Sequence, residues 1–586
     1  MERCKEDPHP QKRGVEINLL FSSISFPVAI FKITNQMLSI KMKKNIQETL
    51  ITTIEDSLRE LKLDTIYREK LYLDFPTDNR FGDLSTNIAL QLSRLLKKSP
   101  PEIAKALVDV IEKHLEKGSL RDYVKQVKVE GAGFINFYLN EKYFYEQLRD
   151  IVRRGRKALK TDTAEARRVL VEFVSANPTG PLSVAHARQA VVGDALANIL
   201  QFLGFKVKRE YYLNDEGNQI NILGKSLELR ARELNGEKIE FPENYYQGDY
   251  IYDIAKEAAS EKRAIKNLGE YAAEYILEII RKELDDFGIK FDYWYSQKEL
   301  RKSGKINKAL AFLKKKSFLY EQDGALWFKS TRFGDDKDRV VIKSDGSYTY
   351  LAPDIAYHQE KYRRGFNWLI NLWGPDHHGY INRLKAAVQA LGRSPGSLTI
   401  VIVQLASIFK EGKPLEMSTR RGQYITLREV LDEVGRDASR FFFLMRRTSS
   451  HLDFDLNIAK KQTSENPVYY VQYAYARICS ILRSSPIKTK RNTDLTILRE
   501  KEELELIKKI WQLSYILNVC LNTQDPYMLT VYLAELSEAF HQFYDRHRVL
   551  GQDNLLTKSR LALIEATRIV LATGLDLLGI SKPQKM

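Results

Sequence analysis

Residues Val171 to Asp194 (VEFVSANPTGPLSVAHARQAVVGD) join an apolar run, a Pro/Gly loop and a histidine at the start of a helical pattern. The run Val169–Val174 predicts a strand. Asn177-Pro178-Thr179-Gly180-Pro181 must end it, because prolines lack a donor and Gly180 permits a turn. Ala187, Ala190, Val191, Ala195, Leu196 and Ile199 then recur at helical spacing, and Gly204 can stop the helix. Such a junction, with His186 beside it, aims backbone N–H groups and a positive dipole end at whatever lies above the sheet, often a phosphate. A second cluster, Phe409 to Gly422, carries Lys410, Lys413, Arg420 and Arg421 in a stretch loosened by Gly412 and Gly422, so its cations can fold over phosphates. Trp368–Leu372 predicts another strand, and Asp376, His377 and His378 follow it, where an open sheet binds ligands. The adjacent histidines do not make a metal site, since neighbours on one chain rarely converge on one ion and no HxxxH or CxxC supports them. Val340–Lys343, the turn Ser344-Asp345-Gly346-Ser347 and Tyr348–Leu351 read as a β-hairpin. Beyond it Tyr350 and Asp354 are spaced one helical turn apart with Pro353 suited to a first turn, so both can face one pocket.

The elements that must position these residues follow from length and pattern. A chain of 586 residues exceeds one core and implies about three to four domains. With 44% hydrophobic and 29% charged residues it reads as a soluble multidomain globule, and its +16 charge favours acidic partners, nucleic acid above all. Cys4, Cys479 and Cys520 are too scattered for a disulfide framework or a metal knuckle, which fits a reducing cytoplasm. Leu19–Phe31 is apolar but too short to span a bilayer, and it lacks the flanks of a signal peptide. Residues 1–41 are therefore expected to be a non-native or disordered extension, with the natural start near Met37 or Met42. Residues 42–155 read as a small α+β domain. Residues 160–460 alternate strand and helix patterns, as in an open parallel sheet, with a charge-rich insertion at about 235–335. From Thr448 onward strands are expected to vanish, and 461–586 should form a helical bundle that starts at Asn466-Pro467.

The stretch around His186 closely resembles the nucleotide-binding signature of class I arginyl-tRNA synthetases, the HIGH-type motif, here Ser183-Val184-Ala185-His186. A usual first histidine is Ser183 and a usual glycine is Ala185. Met417-Ser418 and Gly422 resemble the KMSK-type loop of the same family, with Glu416 and Thr419 where lysines are usual. The resemblance extends from about residue 45 to the last residue. It implies a Rossmann-like α/β catalytic domain, an N-terminal α+β tRNA-binding domain and a C-terminal all-α anticodon-binding bundle. It implies that ATP is held by Pro178, Gly180, Ala185, Gly374, Asp376, His377 and Met417, and that Ser183, His186 and Ser418 serve the phosphates; with both usual lysines absent, Arg420, Arg421 or Lys413 is expected to supply the charge. L-arginine would be recognised by Tyr350 and Asp354 at its guanidinium, and by Glu172 and Asn177 at its backbone end. Gln297 occupies a position where Glu commonly follows Ser, so an amide stands in place of a charge. Tyr473, Arg477 and Met586 would lie near the anticodon.

The implied reaction joins L-arginine to tRNA(Arg) in cytoplasmic protein synthesis, consuming ATP with its Mg²⁺ and releasing AMP and pyrophosphate, in a monomer with no membrane partner and no structural metal. The competing reading is a synthetase-derived, non-catalytic tRNA-binding protein, for which Ser183, Ala185, Glu416 and Thr419 would be the marks. Two nucleotide motifs fail on inspection. Gly131-Ala132-Gly133 lacks the third glycine, where Asn136 stands, and Gly224-Lys225-Ser226 lacks its upstream glycine, where Gln219 stands.

Overall fold

The computed structural model describes residues 46–63, 71–76, 78–160, 167–261, 265–410, 413–414, 424–487 and 493–586. The expectation for residues 1–41 therefore lies outside the described residues, as do those for Glu416, Met417, Ser418, Thr419, Arg420 and Arg421.

Apolar residues at helical spacing build the first of two compact units, residues 46–140 with 461–466. Helix α1 (Ile46–Glu60) buries Leu50, Ile54 and Leu58; α2 spans Ile88–Leu96, and α3 (Pro100–Lys117) starts with proline in its first turn. Strands β1 (Leu84–Thr86), β2 (Val124–Glu130) and β3 (Phe134–Leu139) form an antiparallel sheet of order β1-β3-β2. Gly133, at φ +114°, closes the β2–β3 turn against Pro100, where a Cβ would lie 2.8 Å from the proline. Only glycine fits that approach.

The second unit comprises residues 141–460 and 467–586. It opens with α4 (Glu141–Arg154), then β4 (Arg168–Glu172), α5 (Val184–Phe202) and β5 (Lys206–Leu213). Helices α6 (Asn218–Leu234), α7 (Tyr250–Ser260) and α8 (Leu268–Asp286) lead to β6 (Tyr293–Ser296), followed by α9 (Gln297–Lys302) and α10 (Lys305–Lys315). A small antiparallel sheet, β7 (Leu319–Gln322), β8 (Ala325–Phe328) and β9 (Arg339–Ile342), precedes α11 (Leu351–Arg363), β10 (Trp368–Trp373), α12 (Ile381–Ala390) and β11 (Leu398–Ile402). The hairpin β12 (Ala406–Lys410) and β13 (Lys413–Pro414), then α13 (Leu427–Leu444), β14 (Leu452–Asp455) and α14 (Leu456–Lys460) follow. Helices α15 (Pro467–Ser484), α16 (Lys501–Trp511), α17 (Leu513–Thr523), α18 (Tyr527–Arg546) and α19 (Asn554–Leu578) make the bundle.

The central sheet is wholly parallel, in the order β11-β10-β4-β5-β6. The chain leaves β4 toward β5 and returns on the other side at β10, so the strand order reverses between β4 and β10. Ligands of open sheets bind beyond the carboxyl ends of strands at such a switch. Both faces of the sheet are covered, which is why Val169–Val171 and Trp368–Ile370 read as continuous apolar runs. Helix α5 is buried along most of its length, and at Gly193 a Cβ would stand 2.3 Å from the Phe173 ring.

Three sequence expectations change. The first strand ends at Glu172 rather than Val174, because Val174 (φ +66°) and Ser175 (φ +42°) turn into left-handed conformations that their side chains disfavour. Tyr348–Leu351 forms no second hairpin strand; Tyr348 makes a single bridge to Ile342, and α11 begins at Leu351. Strands do not vanish after Thr448, since β14 pairs in parallel with β12. Helix α4 packs on the bundle: Tyr145 Oη donates to the Leu498 carbonyl (2.7 Å), and the Phe144 and Trp511 rings meet edge-on at 5.4 Å. Its buried Tyr143, Phe144, Tyr145, Leu148 and Ile151 require that cover. Among the described residues no helix is long and apolar enough to cross a membrane.

Candidate active site

The loop between β4 and α5 is fixed by its own residues. Ser183 is the N-cap of α5, and it forms a reciprocal capping box with His186. The Ser183 N–H donates to His186 Nδ1 (3.2 Å), with Ser183 Oγ 3.1 Å from the same nitrogen. Nδ1 is thereby the acceptor, which leaves the proton on Nε2. Burial holds the imidazole down to about 4, outweighing the opposing pull of Asp376. His186 is therefore a neutral hydrogen-bond donor at neutral pH, set on the first turn of a helix whose dipole favours an anion. Gly180 lies between two tyrosines; a Cβ there would sit 3.1 Å from both Tyr250 Oη and Tyr424 Oη. Those hydroxyls donate to the carbonyls of Thr179 (2.6 Å) and Pro181 (2.9 Å).

Described residues hold both ends of the basic segment, and the return end is held at the start of α5. On entry, Lys410 pairs with Lys413 in the β12–β13 hairpin, and Lys410 Nζ meets Glu433 at 3.3 Å. On return, Leu427 N donates to the Leu182 carbonyl (2.7 Å), Val184 N to that of Ile425 (3.3 Å), and Thr426 bridges Ser183. The backbone thus joins the return of the basic loop to the start of α5. Of the predicted cations, Lys413 is exposed.

Carboxylates gather where β4 and β5 end and where α11 begins: Glu172, Asp215 and Asp354 all act on Tyr212. Glu172, almost fully buried, accepts from Ser175 Oγ (3.2 Å) and from Nζ of the wholly buried Lys361. Lys361 also donates to Asn371 Oδ1 (3.3 Å), whose amide meets His358 Nε2 at 2.9 Å. Asp354 accepts from Tyr380 Oη (2.6 Å). Burial raises its carboxyl to about 7; Tyr380 opposes this, Glu172 adds to it and Lys361 offsets it. Tyr212 Oη donates to Gln297 Oε1 (3.0 Å), and its ring rests on Tyr357 with centroids 4.4 Å apart. Asn177 Nδ2 donates to Gln219 Oε1 at 2.5 Å. Tyr350 stands apart with 78% of its surface exposed, one turn before Asp354. Gly374 opens the turn after β10, where Asp376, His377 and His378 are exposed and Asp376 Oδ2 lies 3.2 Å from His377 Nε2.

Sequence reasoning missed several positioning groups. Arg188, buried two residues beyond His186, donates from Nη1 to the carbonyls of Gln404 (2.8 Å), Leu405 (3.2 Å) and Ser450 (2.9 Å), and from Nη2 to that of Arg447 (2.9 Å). It knits α5 to the segment that feeds β12. Its signal was present, a lone arginine inside a helix rich in buried apolar residues. Glu283, on α8, is buried beside the Leu182 backbone, and burial raises its carboxyl to about 7. Nothing in its local pattern marked it. In the bundle, Tyr473 (39% exposed) stacks between Tyr469 (6.3 Å) and His541 (5.8 Å), and Arg477 Nη2 donates to Tyr544 Oη (3.0 Å). Met586 is half exposed.

Three family models match the chain in succession: the arginyl tRNA synthetase N terminal domain over residues 44–139, the catalytic domain of tRNA synthetases class I (R) over 147–451, and the DALR anticodon binding domain over 471–586. The chain is 43% identical over 560 residues to an arginine–tRNA ligase of Geobacter sp. (strain M21), covering 93% of this chain and 100% of the relative. It belongs to the arginyl-tRNA synthetase family. The Bacillus subtilis (strain 168) arginine–tRNA ligase is likewise 43% identical, with 92% of this chain and 100% of the relative covered. A crystal structure from Campylobacter jejuni assigned as an arginyl-tRNA synthetase superposes with a TM-score of 0.70 at 37% identity, covering 76% of this chain and all of that one. In this synthetase family setting, β4, α5 and the β12–β13 hairpin fall within the catalytic match, and α15–α19 fall largely within the anticodon-binding match.

Proposed function

We infer that the protein is an arginine–tRNA ligase. A carboxylate oxygen of L-arginine attacks the α-phosphorus of ATP, the bond to the bridging oxygen breaks, and pyrophosphate leaves. The 2′-hydroxyl of the terminal tRNA adenosine then attacks the carbonyl carbon of the adenylate, and AMP departs. Such chemistry asks the protein mainly to align the reactants and to stabilise charge growing on phosphate oxygens.

The observation that carries this reading is the arrangement at one edge of the sheet. A buried acidic pocket, Asp354 and Glu172 around Tyr212, includes the last residue of β4, and the loop that follows that strand leads to the neutral His186 donor at the start of α5. Asp354 supplies the guanidinium partner, while Glu172, aimed by Lys361 and Ser175, and Asn177 take the ammonium end. Ser183 and His186 donate to phosphates, Ser418 serves them too, and Lys413, Arg420 or Arg421 supplies the charge of the absent lysines. Pro178, Gly180, Ala185, Gly374, Asp376, His377 and Met417 frame the nucleotide, which arrives with its own Mg²⁺. Tyr473, Arg477 and Met586 meet the anticodon of tRNA(Arg). The enzyme acts as a cytoplasmic monomer.

The test is charging of tRNA(Arg) with each of the standard amino acids in turn. Incorporation of arginine alone supports the reading, and incorporation of a different amino acid in its place refutes it.

A further inference from the structure

Position 297 breaks the acidic pattern of the amino-acid pocket, and its surroundings show where the charge has gone. Strands β5 and β6 run parallel with Leu213 opposite Ser296. The residues that follow each strand, Asp215 and Glu216 after β5 and Gln297 after β6, therefore emerge side by side at the carboxyl edge of the sheet. Asp215 is committed to joining these loops: Oδ2 accepts from Ser296 Oγ (2.5 Å) and Oδ1 from Lys298 N (3.0 Å). Glu216 is placed differently. Its Oε1 lies 3.5 Å from Gln297 Nε2, while Oε2 accepts from Arg301 Nε (2.7 Å), one turn further along α9. Its side chain is only 17% exposed, whereas that of Arg301 is 55% exposed and screened by solvent.

Gln297 joins this carboxylate to the pocket. Its Oε1 takes the Tyr212 hydroxyl (3.0 Å), and the Tyr212 phenol is raised by burial and then by the negative charges of Asp354, Glu172 and Asp215. The amide has its oxygen toward Tyr212 and its nitrogen toward Glu216. A guanidinium entering this pocket needs negative charge. Glu172 is balanced by Lys361, which leaves Asp354. A carboxylate offers about four lone-pair sites, so Glu216 can keep Arg301 and still accept from a ligand N–H.

We propose that Glu216 supplies the second negative charge of the guanidinium subsite, with Gln297 as the neutral residue that positions it. This rests on the arginine–tRNA ligase reading. The carboxylate has moved from the start of α9 to the neighbouring loop, and the pocket keeps its charge although residue 297 is an amide.

The experiment is steady-state charging of tRNA(Arg) by the full chain, wild type first, then Glu216→Gln, Gln297→Glu, the double variant and Arg301→Ala. Wild-type charging with arginine establishes the ligase; its failure would refute that reading, independently of this one. Given a working ligase, Glu216→Gln raises the KM for arginine about tenfold or more, the size of a lost charge-assisted hydrogen bond, with the KM for ATP unchanged. L-Citrulline, which carries a neutral urea in place of the guanidinium, inhibits the variant and the wild type equally. Adding Gln297→Glu to Glu216→Gln brings the arginine KM back toward wild type. An unchanged arginine KM in Glu216→Gln overturns the proposal. So does an equal rise in Arg301→Ala that Gln297→Glu does not rescue in the Glu216→Gln background, since Glu216 would then only brace α9.

Discussion

Lys361, with no exposed side-chain surface, donates its ammonium to Glu172, which is distant in sequence and sits on the strand at the switch point of the sheet. The pair is closed by Ser175 Oγ on the other Glu172 oxygen and by Asn371 on Lys361. Removing one partner strands the other charge in the interior, which costs about 3–5 kcal/mol. Lys361→Met therefore lowers the thermal midpoint of the second unit and raises the KM for arginine. Calorimetry and arginine titration in the charging assay check both effects. The variant behaving as wild type would mean that Glu172 is oriented by other groups.

Asp354 gives the pocket a pH dependence with a definite sign. Burial lifts its carboxyl to about 7, with Tyr380, Glu172 and Lys361 as its named neighbours. Only the ionised form attracts a guanidinium. Affinity for arginine thus rises with pH up to about 7 and levels off above it. Below 7 it falls by up to about tenfold per pH unit. Asp354→Asn flattens the profile at a high KM. The KM for arginine measured from pH 5.5 to 8.5 checks this, and a profile flat in the wild type would contradict it.

His186, held down to about 4, stays neutral across the working range and serves as a donor rather than a cation. His186→Ala removes one preorganised donor to a developing phosphate charge and lowers kcat by about 10²- to 10³-fold. His186→Asn, which can still donate, retains more activity than His186→Ala. Single-turnover adenylate formation reads both. A change of kcat with pH near 6.5 that disappears in His186→Ala would show the imidazole titrating, against this assignment.

The start of α5 was legible because its determinants are contiguous. Pro178, Gly180, Pro181 and His186 sit within a few residues, and each has a local conformational meaning. The parallel sheet was legible from apolar runs that alternate with helical spacing. What escaped depends on distance or on strain. Glu172 and Lys361 are too far apart in sequence for spacing to pair them. Val174 is β-branched, so its positive φ contradicts its propensity and moves the end of the strand. Strand β14 is only Leu452–Asp455, with polar residues alternating, and its partner is the distant β12. Helix α4 has aromatic residues that any apolar surface would satisfy, and only the fold shows that the bundle provides it. Gln297 was recognised as a departure, but its neighbour Glu216 became visible only through the register of β5 and β6.

The ladder Tyr469–Tyr473–His541 presents a partly exposed ring at its centre. Stacking of an unpaired base on such a ring contributes about 1–3 kcal/mol. Tyr473→Ala accordingly raises the KM for tRNA(Arg) by about fivefold or more, with the KM for arginine unchanged. Charging kinetics at varied tRNA concentration decide it. An equal rise in the arginine KM would mean that the substitution had disturbed the fold of the second unit.

Glu283 is buried beside the backbone of Leu182, whose carbonyl accepts from Leu427 N, so it stands where the two loops meet. Glu283→Ala removes the buried polar group beside that backbone, at about 1–3 kcal/mol. Glu283→Gln retains an acceptor and most of the activity. Parallel kcat and melting measurements on the two variants distinguish them; equal losses in both would contradict this role.

Arginine-dependent exchange of pyrophosphate into ATP, with and without unmodified tRNA carrying an arginine anticodon, tests the proposed activity most directly. The enzyme described here exchanges pyrophosphate when arginine and that tRNA are both present. Absence of exchange under every condition, with tight tRNA binding intact, would contradict it and mark the chain as a tRNA-binding protein that has lost its chemistry.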